Sequence, residues 1–288
     1  MTTLSPRKIM LATDLTPAGD RAFDRAVELA QEWDAELIIL HVVESGAARP
    51  WGIDQRMRNV ATEMDRLVRS AKQTCNIVSH TIIGDPADRT LKYALDIGCD
   101  FLITGPAQGK IVGEKLLGST AARIVRRATV PVLAVRRRPE GPYRNIVSAV
   151  DFSNPSRSAF LSSRALFPSA RLTALHVYQI TPNFSGRNAE RPIDIVEAEE
   201  RERVLTEARR NMDDLVAAAG AGRPAIETAV LEGEPEVVIA DYIAKNWPDL
   251  IVAGTHGRSA IEHDTIGSVA ERFLTTLQCD VLAVPIRK

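Results

Sequence analysis

The stretch LIVAGTHGRSAIEHDTIGSV, from Leu250 to Val269, determines how the rest of the chain is organised. A short apolar run ends in Gly254, two further glycines follow at Gly257 and Gly267, and a helical pattern begins at Ser268. We predict a strand, a loop and a helix start. Glycine permits positive φ and close approach of a ligand, and the first amides of a helix favour an anion. From spacing alone, the loop either holds phosphate or is a connection that binds nothing.

The glycine spacing resembles that of the universal stress protein family. Two residues separate Gly254 from Gly257, and nine separate Gly257 from Gly267-Ser268. This matches the Gly-x2-Gly-x9-Gly-(Ser/Thr) pattern of the family's nucleotide-binding members, and the segments GTHGRS and IGSVAERFL are also similar to the family. The resemblance implies that the loop cradles the phosphates of ATP, with Mg²⁺ as a candidate companion ion.

The chain repeats itself, which is the property to look for first in a sequence of this length. KIMLATDLT at 8–16 matches NIVSAVDFS at 145–153, and LIILHVV at 37–43 matches LTALHVY at 172–178. Later in the two halves, Gly105 matches Gly254. The protein is therefore a duplication of one unit.

Within each unit, β-rich runs alternate with helical patterns, which predicts an α/β fold with a parallel sheet. We expect two tandem Rossmann-like domains, at 1–140 and 141–288, each an open five-stranded parallel sheet with helices on both faces. The predicted strands are 8–13, 36–43, 76–83, 101–105 and 130–136, then 145–150, 171–178, 225–231, 250–254 and 281–285. The linker is RRPEGP at 137–142. The apolar last strands, 132–135 and 281–284, are predicted to pair antiparallel and so remove both exposed edges.

Composition excludes several classes of function. The 288 residues include 36 basic and 37 acidic ones, a net charge of −1, so nothing favours bulk attraction to nucleic acid or to an anionic membrane. No apolar run approaches the roughly 18 to 20 residues that span a bilayer, and no secretion signal is evident, so we expect a cytoplasmic protein. Three cysteines lack the spacing of a disulfide framework or a zinc site. Arg136 to Arg138 is interpreted as a solvated linker edge, and 192–219 as a long, solvent-exposed helix.

The resemblance identifies candidate nucleotide contacts in the second half. In the family that this chain resembles, the aspartate after the first strand helps to hold ribose or adenine, and backbone near the end of the second strand meets adenine. For Asp151 a turn or N-cap role is the alternative, and His256 is either a phosphate donor or an ordinary loop histidine. His41 and His176 are expected to be buried, structurally bonded histidines. The full candidate set is Asp151, Val177, Ala253, Gly254, His256, Gly257, Gly267, Ser268 and Val269.

The first half departs from the motif. Pro106 stands where the second half has Thr255 and removes a backbone donor, while Gln108 replaces Gly257 and adds a side chain where phosphate should approach. We expect the second half to bind nucleotide and the first half to bind it weakly or not at all. The weaker candidates retained in the first half are Asp14, Gly105, Gly118 and Ser119.

The function that the resemblance implies is that of a tandem, cytoplasmic, ATP-binding stress-response protein. Its expected partners are an adenine nucleotide and its own other half in an internal pseudo-dimer, with a homodimer as a further candidate and with no nucleic acid or membrane. A slow ATPase or an adenylating enzyme is one alternative, although the chain has no G-x-x-x-x-G-K-[ST] loop. A scaffold that binds no nucleotide is the other alternative.

Overall fold

The computed structural model describes residues 5–44, 53–71, 74–106, 111–112, 115–116, 120–180, 193–220, 225–255 and 268–286. In the first half the elements are β1 Lys8–Thr13, α1 Pro17–Trp33, β2 Glu36–Val43, α2 Ile53–Ala71, β3 Ile77–Ile83, α3 Pro86–Asp96, β4 Phe101–Thr104, β5 Ile111–Val112, β6 Lys115–Leu116, α4 Thr120–Arg127 and β7 Val132–Ala134. In the second half they are β8 Asn145–Ala149, α5 Asn154–Leu166, β9 Arg171–Tyr178, α6 Ile193–Ala218, β10 Ile226–Glu232, α7 Pro235–Asn246, β11 Leu250–Gly254, α8 Ser268–Thr276 and β12 Asp280–Val284. The predicted alternation of strands and helices is confirmed.

The two halves share one ten-stranded sheet. Its order is β10-β9-β8-β11-β12-β7-β4-β1-β2-β3, so each half contributes five strands. Within each half all pairings in this sheet are parallel. At the centre β12 pairs antiparallel with β7, and Leu282 lies opposite Leu133. The predicted antiparallel pairing of the last strands is therefore confirmed. The separate hairpin of β5 and β6 was not predicted.

Helices cover both faces of the sheet, and each face has a hydrophobic core to which both halves contribute. One core receives side chains from α1, α2, α5 and α6, and it includes Leu133 and Leu282. The other core receives side chains from α3, α4, α7 and α8. Burial of both sheet faces explains why the strands read as continuous apolar runs in the sequence.

The connection between the halves is fixed by a buried carboxylate. Asp280, only 1% exposed, accepts hydrogen bonds through Oδ1 from the Arg136 and Arg137 amides at 2.7 and 3.1 Å. Its Oδ2 accepts a bond of 2.6 Å from the Tyr143 hydroxyl. The interpretation of Arg136 as a solvated linker residue is wrong, because it is partly buried, its side chain donates to the Leu274 carbonyl, and burial lowers the pKa of its guanidinium.

One face of helix α6 is buried, although a solvent-exposed helix was expected. Its charged residues form pairs such as Arg203 with Glu200 at 2.6 Å, in agreement with the sequence pattern. However, Met212 and Leu215 are buried in the core formed with α1, α2 and α5. The charge-rich sequence concealed this buried stripe, because apolar residues spaced at about one helical turn suffice to dock a helix.

Candidate functional site

The carboxyl ends of β8, β9 and β11 bring the candidate residues of the second half to one edge of the sheet. β8 lies between β9 and β11, so the chain leaves it in one direction and later returns on its other side. In doubly wound sheets, this reversal of strand order opens a ligand crevice. The registers end at Ala149 opposite Leu175 and at Val252 opposite Ser148. Continued by two residues, they place Asp151 level with Val177 and Gly254 level with Val150.

Asp151 forms a tight turn between β8 and α5. Its Oδ1 accepts hydrogen bonds from the Ser153 amide at 3.0 Å and from the Ser153 hydroxyl at 2.5 Å. Ser153 is the N-cap of α5, and its Oγ accepts from the Ser156 amide. The turn interpretation of Asp151 is thus correct as far as Oδ1 is concerned. It does not exclude ligand binding, since a carboxylate has two oxygens and several lone-pair positions.

The same turn is present in the first half, down to its backbone conformation. The Oδ1 of Asp14 accepts from the Thr16 amide at 3.1 Å and from the Thr16 hydroxyl at 2.7 Å. The next residue along is left-handed in both turns, with φ of 60° at Leu15 and 62° at Phe152. Such φ values cost free energy in non-glycine residues, and they concentrate at functional sites. No sequence pattern predicted this conformation.

The paired histidines connect the first two strands of each half. Nδ1 of His41 lies 2.9 Å from the Thr13 carbonyl, and Nδ1 of His176 lies 2.7 Å from the Val150 carbonyl. Because a carbonyl only accepts, Nδ1 must carry the proton in both rings. Burial lowers the pKa of His41. The expectation that both histidines are structurally bonded is confirmed, but only His176 is buried, whereas His41 is partly exposed.

Gly254 is a glycine for a reason that the sequence did not reveal. Its φ is not in the positive range, so a left-handed backbone is not what requires glycine at this position. A Cβ built on Gly254 would instead lie 3.0 Å from the backbone carbon of Pro155, in the first turn of α5. The absence of a side chain lets α5 pack directly against the end of β11.

We expect Gly254→Ala to destabilise the protein by about 1 to 3 kcal/mol, the usual cost of an overpacked contact. The added methyl group would meet the backbone of Pro155, which cannot move aside as a flexible side chain does. Urea unfolding followed by circular dichroism measures the change. A free energy of unfolding equal to that of the unaltered protein would show that α5 can shift at no cost.

Other candidate residues fall partly outside the described structure. Ala253 is buried at the end of β11, Ser268 begins α8 as predicted, and Val269 packs against the core in the first turn of that helix. The remaining loop candidates lie outside the described residues, and they are His256, Gly257, Gly267, Gly118 and Ser119. Among the described residues, no group of three or more His, Cys, Asp or Glu is arranged to hold a metal ion.

The first half has a cavity of about 400 Å³ at the matching position. The ends of β1, β2 and β4 line it with Asp14, His41 and Gly105, and the first turn of α4 lines it with Thr120. Arg56 of α2 and Thr90 of α3 also line the cavity, although the sequence did not single out either residue. We refer to this space as the first-half cavity.

The fold defines a class of protein. It is a duplicated, doubly wound α/β protein in which the turn after the first strand is repeated in each half. The model of the universal stress protein family matches residues 6–136 and again 142–285. The chain therefore belongs to the universal stress protein family, with two such domains in tandem. Within the part of the chain that the structure describes, no helix is long and apolar enough to cross a membrane.

The chain is also similar to individual proteins. The chain is 29% identical to universal stress protein YxiE of Bacillus subtilis over 145 residues, which cover 45% of this chain and 98% of that protein. It resembles the crystal structure of a universal stress protein from Archaeoglobus fulgidus over 98% of both chains, with a TM-score of 0.71 at 16% identity. A universal stress protein crystallised in complex with cAMP is 24% identical, with a TM-score of 0.37 over 46% of this chain and 97% of that one.

Proposed function

We propose that this protein is a cytoplasmic stress-response module that binds one ATP per chain, in its second half. The domains are 1–140, with a degenerate nucleotide loop, and 141–288, with an intact one. In the second half, Asp151 meets the ribose or the adenine, and backbone near Val177 meets adenine. The loop from Gly254 to Gly267 and the amides that begin α8 receive the phosphates, which would carry any Mg²⁺.

The observation that carries this proposal is the alignment of three strand ends at the reversal of strand order. Asp151 lies two residues after β8, Val177 is the next-to-last residue of β9, and Gly254 is the last residue of β11. The Gly-x2-Gly-x9-Gly-Ser motif begins at Gly254. The loop leads into α8, which starts at Ser268. Unpaired amides and the positive end of the helix dipole favour phosphate in the first turn of a helix.

Asymmetry between the halves supports a single site for ATP. The first half keeps the aspartate turn of the second almost unchanged, with Asp14 in place of Asp151. It differs in the loop after the fourth parallel strand, where Pro106 lacks an amide hydrogen and Gln108 replaces a glycine. Phosphate held by backbone amides depends on that loop, so the shared turn alone is insufficient for nucleotide binding.

Calorimetric titration of the full chain with ATP is expected to give one site per chain. Asp151→Asn should weaken binding about tenfold or more, because the hydrogen bonds to a charged group that it removes are worth about 1.5 to 3 kcal/mol. Asparagine keeps the oxygen that the Ser153 amide requires, so the turn should persist. Asp14→Asn is the matched control, and it should leave ATP affinity unchanged.

A titration that gives two equivalent tight ATP sites per chain would overturn the proposed asymmetry between the halves. Equal losses of affinity in both asparagine variants would show that the first half binds ATP as well. No measurable binding of ATP to the unaltered chain would leave an interaction scaffold as the better account of the protein.

A further inference from the structure

The first-half cavity differs in chemistry from the matching region of the second half. Four threonines line it, one each from β1, α3, β4 and α4, and they are Thr13, Thr90, Thr104 and Thr120. In the second half, the residues at the same repeat positions are all aliphatic, and they are Val150, Ile239, Ala253 and Val269. Each of these four hydroxyls is thus matched by a side chain that cannot form a hydrogen bond.

This contrast favours different ligands in the two halves. Aliphatic side chains suit the flat, apolar faces of a base such as adenine, whereas buried hydroxyls lose water and must recover hydrogen bonds from what replaces it. A ligand that fills the first-half cavity therefore needs hydrogen-bonding groups on several sides. A molecule with many hydroxyl groups meets this requirement.

Thr90 provides the most specific evidence. It is only 1% exposed, and its side chain lines the first-half cavity. The described residues form no hydrogen bond with its hydroxyl, and this oxygen is not among the fully enclosed unpaired atoms, so it is open to the cavity. Buried polar groups are nearly always hydrogen-bonded, so one that is not calls for a ligand or water as its partner. The cavity is the direction from which such a partner can reach it.

The other polar groups around the cavity offer both donors and acceptors. Thr13 uses its oxygen to accept from the Leu15 amide at 3.1 Å and keeps its hydroxyl hydrogen as a donor. Thr104 donates to the Gly105 carbonyl at 2.9 Å and keeps its oxygen as an acceptor. His41 donates through Nδ1, so its Nε2 is an acceptor in the neutral ring.

Charges at the cavity disfavour an anionic ligand. Asp14 and Glu44 are exposed residues that line it, and Arg56 is the one cation among its described lining residues. Among the described lining residues, two carboxylates therefore stand beside one guanidinium, a balance that does not attract phosphate. Carboxylates accept hydrogen bonds well, and hydroxyl groups can donate them. The volume of about 400 Å³ lies in the range of small-molecule sites.

From these contacts we propose that the first-half cavity binds a small, uncharged polyhydroxylated molecule of the size of a sugar. The Thr90 hydroxyl is a direct contact, and the carboxylates of Asp14 and Glu44 accept hydrogen bonds from the ligand's hydroxyls. This site is separate from the ATP site proposed for the second half. The protein would accordingly bind two ligands of different chemistry in its two domains.

Saturation-transfer NMR on the full chain, with D-glucose and myo-inositol as probes, tests the proposal. At least one probe is expected to bind saturably, and an excess of ATP should not displace it. Thr90→Val should weaken that binding at least about fivefold, as expected for a lost hydrogen bond, without lowering the melting temperature. Thr90→Ser keeps a hydroxyl and should retain binding.

Ile239→Val, at the matched position of the second half, is the control and should not affect either probe. Binding of neither probe, displacement by ATP, or an unchanged affinity in Thr90→Val would overturn the proposal. Loss of ATP binding to the second half would not affect these readouts, so the two sites can fail independently.

Discussion

Leu133→Lys is expected to lower the free energy of unfolding by more than about 3 kcal/mol, the scale of a charge buried without a partner. Leu133 lies directly opposite Leu282 where β7 meets β12, and both side chains are fully buried in the core that the two halves share. A lysine cannot reach water from this position without opening the central strand pair. The damage should therefore extend to both halves.

Urea unfolding followed by far-ultraviolet circular dichroism measures the loss, and small-angle scattering reports any separation of the halves. Leu282→Lys should give a loss of similar size, because it places the charge on the other member of the same pair. Leu95→Lys is the control, since Leu95 is 74% exposed on α3. Unchanged stability and compactness in both buried variants would show that the central pairing does not hold the halves together.

Gly257→Val is expected to abolish ATP binding while leaving the fold intact. In the proposed site, phosphate oxygens and backbone donors must come within about 3 Å of each other, and a branched side chain adds bulk where they meet. A positive φ at this glycine would add strain of about 1 kcal/mol or more. The loss of binding should therefore be much larger than the loss of stability.

Gly109→Val is the matched control in the first half, because its loop already carries Pro106 and Gln108. ATP affinity by calorimetry and thermal melting should be measured for both variants. Equal losses of affinity would mean that the first half also binds nucleotide. Full affinity in Gly257→Val would mean that phosphate is held elsewhere.

The local sequence pattern was sufficient to predict the fold. Parallel strands buried on both faces give apolar runs that stand out from the amphipathic helices between them. The duplication then made each half a check on the other. The apolar character of 132–135 and 281–284 predicted the central strand pair, which the structure confirms. These inferences succeeded because strand identity and edge protection depend on nearby residues.

Residue contacts between distant segments could not be predicted in this way. The sequence marked Gly254 as part of a loop motif, but only the packing of α5 shows that Pro155 occupies the space of its Cβ. Arg136 appeared solvated because three arginines stand in a row, whereas Asp280 and the Leu274 carbonyl hold this segment from far along the chain.

The sequence by itself therefore determined the duplication, the order of strands and helices, the likeness to the family and the glycine loop of the second half. These depend on spacing along the chain. Only the tertiary structure decided how α6 docks, that Leu15 and Phe152 are left-handed, and that four threonines from four separate elements line one cavity. A cavity forms where elements far apart in sequence converge, and its chemistry depends on which side chains face inward, a property that no local pattern encodes.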